Sequence, residues 1–147
     1  LIETTELTDE KSFRIKELVI TPFEVQTNYN ISTVFLIQEK DKRVIYAPCD
    51  VKPFPKNPEL ENLDLLIIGS FHLEGPLKEG IIIPLNNPLR LELFSLKELQ
   101  ELAKKLKAKR TLVTHIEEEW GKSFDEYRKL EHEYNLRFTY DGMRIEI

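Results

Sequence analysis

At 147 residues, with 41% hydrophobic and 32% charged side chains, the chain has the size and balance of one globular domain with a sizeable core. A net charge of −5 disfavours nucleic acid as a partner for this chain alone, because polyanion affinity comes from neutralising phosphates with Lys and Arg. One cysteine, Cys49, excludes an intrachain disulfide, and no apolar run approaches the ~20 residues of a membrane-spanning helix.

The opening Leu1-Ile-Glu-Thr-Thr-Glu6 has neither a basic nor an apolar leader region. A cytoplasmic location is therefore expected, and a start on Leu rather than Met is expected of a processed or partial chain. Abundant Lys and Glu with scarce Cys and Met lean toward a thermophilic source. Phe13 to Thr21 reads as a strand closed by Pro22. Ser32–Gln38 and Arg43–Ala47 are two further strands joined by a short turn, hence an antiparallel hairpin. Prolines 48, 53, 55 and 58 make the stretch 48–60 a loop. Leu63-Asp-Leu-Leu-Ile-Ile68 is a buried strand ending at Gly69, and 70–93 is irregular, as functional or partner-facing connections often are.

Ser95 and Glu98 form a capping box before a helix from Leu96 to Lys107, with Leu96, Leu99, Leu102, Ala103 and Leu106 on one face. Thr111–Thr114 is a strand, and Ser123 with Glu126 opens a second helix to about Tyr134. Leu136–Tyr140 and Met143–Ile147 read as strands joined by a type I′ turn at Asp141-Gly142. The order predicts mixed α/β layers.

Two strands carry candidate chemistry. Val44-Ile-Tyr-Ala-Pro-Cys-Asp50 and Arg110-Thr-Leu-Val-Thr-His115 are short apolar runs. Each ends in a residue that binds divalent metals, held by a rigid sheet. The plainer roles are a turn-forming Asp50 and a hydrogen-bonded structural His115. Cys49 is either a soft ligand or a small core residue, and Glu117, Glu118 and Glu119 are either oxygen ligands or a solvated turn. His72 follows a strand end, where α/β folds place ligand-binding groups, and is the candidate for substrate binding. His132 reads as a surface residue. No nucleophile elbow, P-loop or dinucleotide fingerprint is present.

The stretch Leu99 to Ile116, then Tyr140-Asp-Gly-Met143, resembles the end of a metallo-β-lactamase-fold hydrolase, most closely the phosphodiesterase branch that includes PhnP-like enzymes and tRNase Z. Arg43–Asp50 resembles that family's strand leading to the metal-bridging aspartate, and Leu63–Gly69 the strand after it. The resemblance covers nearly the whole chain but only the C-terminal half of the family's fold. It implies half of an αββα sandwich, with a mixed sheet and two main helices. It further implies that Asp50 bridges two metals, that His115 is the last ligand of the second, and that zinc is the metal.

The departures are specific. The His-x-His-x-Asp-His cluster is absent, Thr27 stands where a ligand histidine is expected, and Leu93-Phe-Ser95 stands where the family has His-x-Ser. Two functions follow. One is metal-dependent phosphodiester hydrolysis, inactive in the isolated chain and completed by a missing N-terminal half. The other is a non-catalytic, degenerate binding or assembly module of the same fold. Either way, half of a two-sheet sandwich exposes an apolar sheet face, so a homodimer or a complex with the complementary half is expected.

Overall fold

The computed structural model describes residues 6–27, 30–49 and 51–147. Seven strands form one sheet in sequence order: β1 (Phe13–Ile15), β2 (Leu18–Gln26), β3 (Ile31–Glu39), β4 (Lys42–Ala47), β5 (Leu65–Gly69), β6 (Thr111–Thr114) and β7 (Arg137–Phe138). The pairs from β1 to β4 are antiparallel, and those from β4 to β7 are parallel. The helices are α1 (Leu89–Glu92), α2 (Leu96–Lys105) and α3 (Phe124–Tyr134).

The first predicted strand is in fact two. Lys16 takes a left-handed φ of 53° and turns the chain between Ile15 and Leu18, which pair. No Gly or Asn marks this turn. Pro22 does not end β2 but pairs with Phe35. Its carbonyl accepts from the Glu10 N–H at 2.8 Å, on the side away from β3. The imino nitrogen faces that same side, so the ladder loses no donor there.

The β3–β4 hairpin forms as predicted, from Phe35↔Tyr46 to Glu39↔Lys42. Both capping boxes are closed, Ser95 with Glu98 and Ser123 with Glu126. The 70–93 stretch holds a single 3-10 turn at Lys78–Gly80 and one short α-helix, α1. The predicted C-terminal hairpin is corrected. The chain does reverse, with the Met143 N–H donating to the Tyr140 carbonyl, but only Gly142 of the central pair takes a positive φ, so the turn is not type I′. Residues 143–147 form no strand, and the arm before the turn contracts to Arg137–Phe138. A turn motif specifies the reversal, while ladder pairing needs a partner edge, and Phe138 spends its register on the parallel pairing with Val113.

The two faces of the sheet differ. One carries Phe23, Val25, Val34, Leu36, Ile45, Ala47, Leu66, Ile68 and Val113, which join Leu96 and Leu99 of α2 in a single buried core. On the other face, the registers align Pro22–Phe35–Tyr46–Ile67–Leu112 and Ile20–Ile37–Val44–Leu65 into two apolar rows. Phe35, Ile37, Val44 and Ile67 there are only half-buried, and Tyr46 is exposed. Leu65 and Leu112 are buried, and they line a groove shared with Met143 and Ile145 of the C-terminal arm. Among the described residues, no helix is long and apolar enough to cross a membrane.

Candidate metal-ligand cleft

The registers place the end of β2, the start of β3 and the carboxyl ends of β4, β5 and β6 at one end of the sheet. Parallel strands present ligand-binding groups at this end. A cleft of about 40 Å³ opens there, lined among others by Cys49, Gly69, Leu93, Phe94, His115 and Glu117.

His115 leaves β6 with a left-handed φ of 59°, a region in which His is several-fold enriched among non-glycine residues. Its Nδ1 lies 3.2 Å from the Pro48 carbonyl oxygen. A carbonyl only accepts, so Nδ1 carries the proton and the neutral ring keeps its lone pair on Nε2. This is the second-layer arrangement that orients a ligating imidazole. The side chain is half exposed, and Nε2 stands 3.9 Å from Glu117 Oε1. Gly69 makes the approach of the strand ends possible. A Cβ there would lie 2.3 Å from the Pro48 oxygen, so only glycine lets that carbonyl sit between β5 and His115.

The opposite wall is clamped. Lys52 Nζ donates to the carbonyls of Arg90 (2.7 Å) and Leu93 (3.3 Å) and to Glu98 Oε1 (2.7 Å). It also lies 5.5 Å from the centre of the Phe94 ring. The Ser70 hydroxyl and the Phe71 N–H both donate to the Phe94 carbonyl, at 2.7 and 2.9 Å. The segment 90–94 is thus tied to both the β4 and the β5 loops.

Asp50, the predicted bridging ligand, lies outside the described residues. Leu93 does line the cleft beside His115, so an apolar side chain occupies the wall where the family resemblance calls for an imidazole. Thr27 sits at the same end of the sheet, and its hydroxyl donates to Asn30 Oδ1 at 2.8 Å to close the β2–β3 connection.

His72 is not among the cleft's lining residues. It is 4% exposed and packs against Trp120, with ring centres 5.7 Å apart. Burial, then Lys122, pushes its pKa below the ordinary value, against the opposing pull of Glu74 and Glu133. His72 and His115 are therefore not brought together in one cleft. Trp120 gave no functional signal in the sequence, yet it centres a cluster with Phe71, Tyr127 and Phe138. His132 is exposed, as predicted.

Among the described residues, no group of three or more His, Cys, Asp or Glu side chains is placed to hold a metal ion. The cleft supplies one well-oriented nitrogen, with a thiol and carboxylates in its walls. That set fits a divalent metal only in part, and no reaction step follows from it alone.

A mixed sheet with its helices on one face and a cleft at the carboxyl ends of its parallel strands defines this chain as one of the metallo-β-lactamase fold. No family model and no curated protein sequence matches it. Solved structures do. The metallo-β-lactamase fold protein YhfI from Bacillus subtilis matches with a TM-score of 0.67 at 17% identity, covering 95% of this chain and 54% of that one. A diphosphatase from the PhnP family matches at 0.63 and 15%, covering 95% and 47%. The isothiocyanate hydrolase from Delia radicum gut bacteria matches at 0.64 and 14%, covering 97% and 59%. The chain thus spans about half the length of the structures it resembles.

Proposed function

We propose that this chain supplies the His115 side of a divalent-metal centre, with Asp50 as its carboxylate partner and zinc as the metal. The reaction class is hydrolysis of a phosphodiester or related phosphoester, once further ligands come from a complementary half. The observation that carries this reading is the Pro48 hydrogen bond on Nδ1 of His115, which leaves Nε2 as the basic nitrogen at the carboxyl ends of three parallel strands. The PhnP-family diphosphatase among the similar structures supports the phosphoester class.

A second reading, a non-catalytic binding or assembly module, is favoured by Leu93 in the cleft wall. Zinc and manganese titration of the wild type and His115→Ala, followed by calorimetry, separates the two. Binding that His115→Ala weakens at least tenfold supports the metal centre. Absence of binding in both proteins, or equal binding in both, overturns it. Turnover of bis-p-nitrophenyl phosphate by the metal-loaded chain with its complementary half distinguishes a hydrolase from a binding module.

A further inference from the structure

His72 and Trp120 form a buried pair that the metal-ligand reading does not use. Trp120 is fully buried and is the chain's single tryptophan. The two rings lie 5.7 Å apart at 30°. Neither His72 Nδ1 nor Trp120 Nε1 has a hydrogen-bond partner, an arrangement buried polar groups rarely tolerate. A Cβ at Gly75 would come within 3.1 Å of the imidazole Nε2, so the ring is packed closely by the indole and by the backbone of its own loop.

This packing accepts a neutral imidazole and strains against a charged one, which carries two N–H donors and a full charge into apolar surroundings. The charged groups facing it are Glu74 on its own loop, Lys122 after the Trp120 turn and Glu133 on α3. Glu74 is the acceptor within reach. Its Oε2 lies 3.7 Å from Nδ1, about 1 Å beyond a charge-assisted hydrogen bond. Its other oxygen already accepts from the Lys97 N–H in the first turn of α2, at 2.8 Å. Closing that gap means moving the loop, not the helix. The same loop begins with Ser70 and Phe71, whose bonds to Phe94 make the cleft wall.

We propose that His72 is a proton-operated latch on the cleft wall: packed neutral against Trp120 it holds loop 70–77 closed, and as an imidazolium drawn to Glu74 it loosens that loop. Burial and Lys122 hold the neutral form in place at neutral pH. The latch does not depend on whether the cleft binds metal, because it is read at Trp120 and at the loop.

The test is an acid titration of Trp120 fluorescence, run with far-UV circular dichroism on wild type, His72→Phe and Glu74→Gln. The shift toward Glu74 is only about 1 Å, so the imidazolium stays beside the indole and quenches its emission. The wild type should lose emission reversibly below about pH 6.5 while its secondary structure stays constant. His72→Phe should lose the transition, and Glu74→Gln should move it to lower pH. The hydrogen-exchange protection of the Phe71 amide should fall about tenfold for each pH unit that the imidazole's titration lies below its ordinary value. A transition retained in His72→Phe, or wild-type emission that stays flat until global unfolding, overturns the proposal. Should His72→Phe fail to fold, the wild-type imidazole resonance decides. Co-titration with the Trp120 indole signal supports the latch, and an invariant His72 resonance down to acid unfolding overturns it.

Discussion

The Pro48 carbonyl accepts from His115 Nδ1 at 3.2 Å, and it does so across Gly69, whose missing side chain leaves the space. Residues from the ends of β4, β5 and β6 thus meet in one contact, and it decides which imidazole nitrogen faces the cleft.

Gly69→Ala tests that contact. A Cβ 2.3 Å from a backbone oxygen cannot be accommodated by a rotamer change, so the strand ends must separate. A loss of about 3 kcal/mol is expected, the upper range for overpacking, measured by urea unfolding. The His115 imidazole resonances should shift in the folded fraction, and unchanged resonances would show that the Pro48 bond does not depend on this glycine.

The wall opposite is held by one cation. Lys52→Met keeps the aliphatic stem but leaves the Arg90 and Leu93 carbonyls without their donor. About 2 kcal/mol should be lost, in the range for hydrogen bonds to charged groups. The loss has a pH signature. Burial tends to raise the Glu98 carboxyl, but the Lys52 and Ser95 hydrogen bonds outweigh it and hold the group below its ordinary 4.5. A depressed carboxyl stabilises the fold fully above its unfolded value and progressively less as pH falls through the folded one. The wild type should therefore lose this contribution as pH falls below 4.5, while Lys52→Met, already without it at neutral pH, should lose less stability over the same acid range. Parallel acid-unfolding curves for the two proteins would count against the clamp.

Core and cap make separable contributions on α2. Leu99 is fully buried against the sheet, so Leu99→Ala should cost about 2–5 kcal/mol. Ser95→Ala opens the capping box and should cost about 1 kcal/mol. Chemical denaturation should rank them in that order, and the reverse would mean that α2 is held more by its cap than by its packing.

The uncovered sheet face predicts association. Tyr46 is 42% exposed in the middle of an apolar row that reaches from Pro22 to Leu112. If a second copy or a complementary half covers it, light scattering should find wild type associated and Tyr46→Glu shifted toward monomer, with the melting temperature of the dissociated form little changed. A monodisperse wild-type monomer would rule out the homodimer.

Much of this architecture was legible in the chain before its fold was known. Both capping boxes, the β3–β4 hairpin, the core strands around Leu66 and Val113 and the apolar stripe of α2 are local patterns, and local patterns are carried by periodicity and by side chains that bond their own backbone. The turn at Lys16 was not legible, because its left-handed backbone has no glycine or asparagine to announce it. The C-terminal hairpin was over-read, because Asp141-Gly142 specifies a reversal and says nothing about which edge the following residues will find.

The candidate chemistry divides along the same line. By itself the sequence determined that a potential ligand, His115, closes an apolar strand, and that Leu93 and Thr27 stand where imidazoles were expected. Only the tertiary structure decided that Pro48 selects the tautomer of His115, that Leu93 faces that same cleft, and that His72 is packed against Trp120 away from it. Those outcomes depend on contacts between residues 67 positions apart in one case and nearly fifty in the other. Strand register and loop packing set such contacts, and no local pattern of residues encodes them.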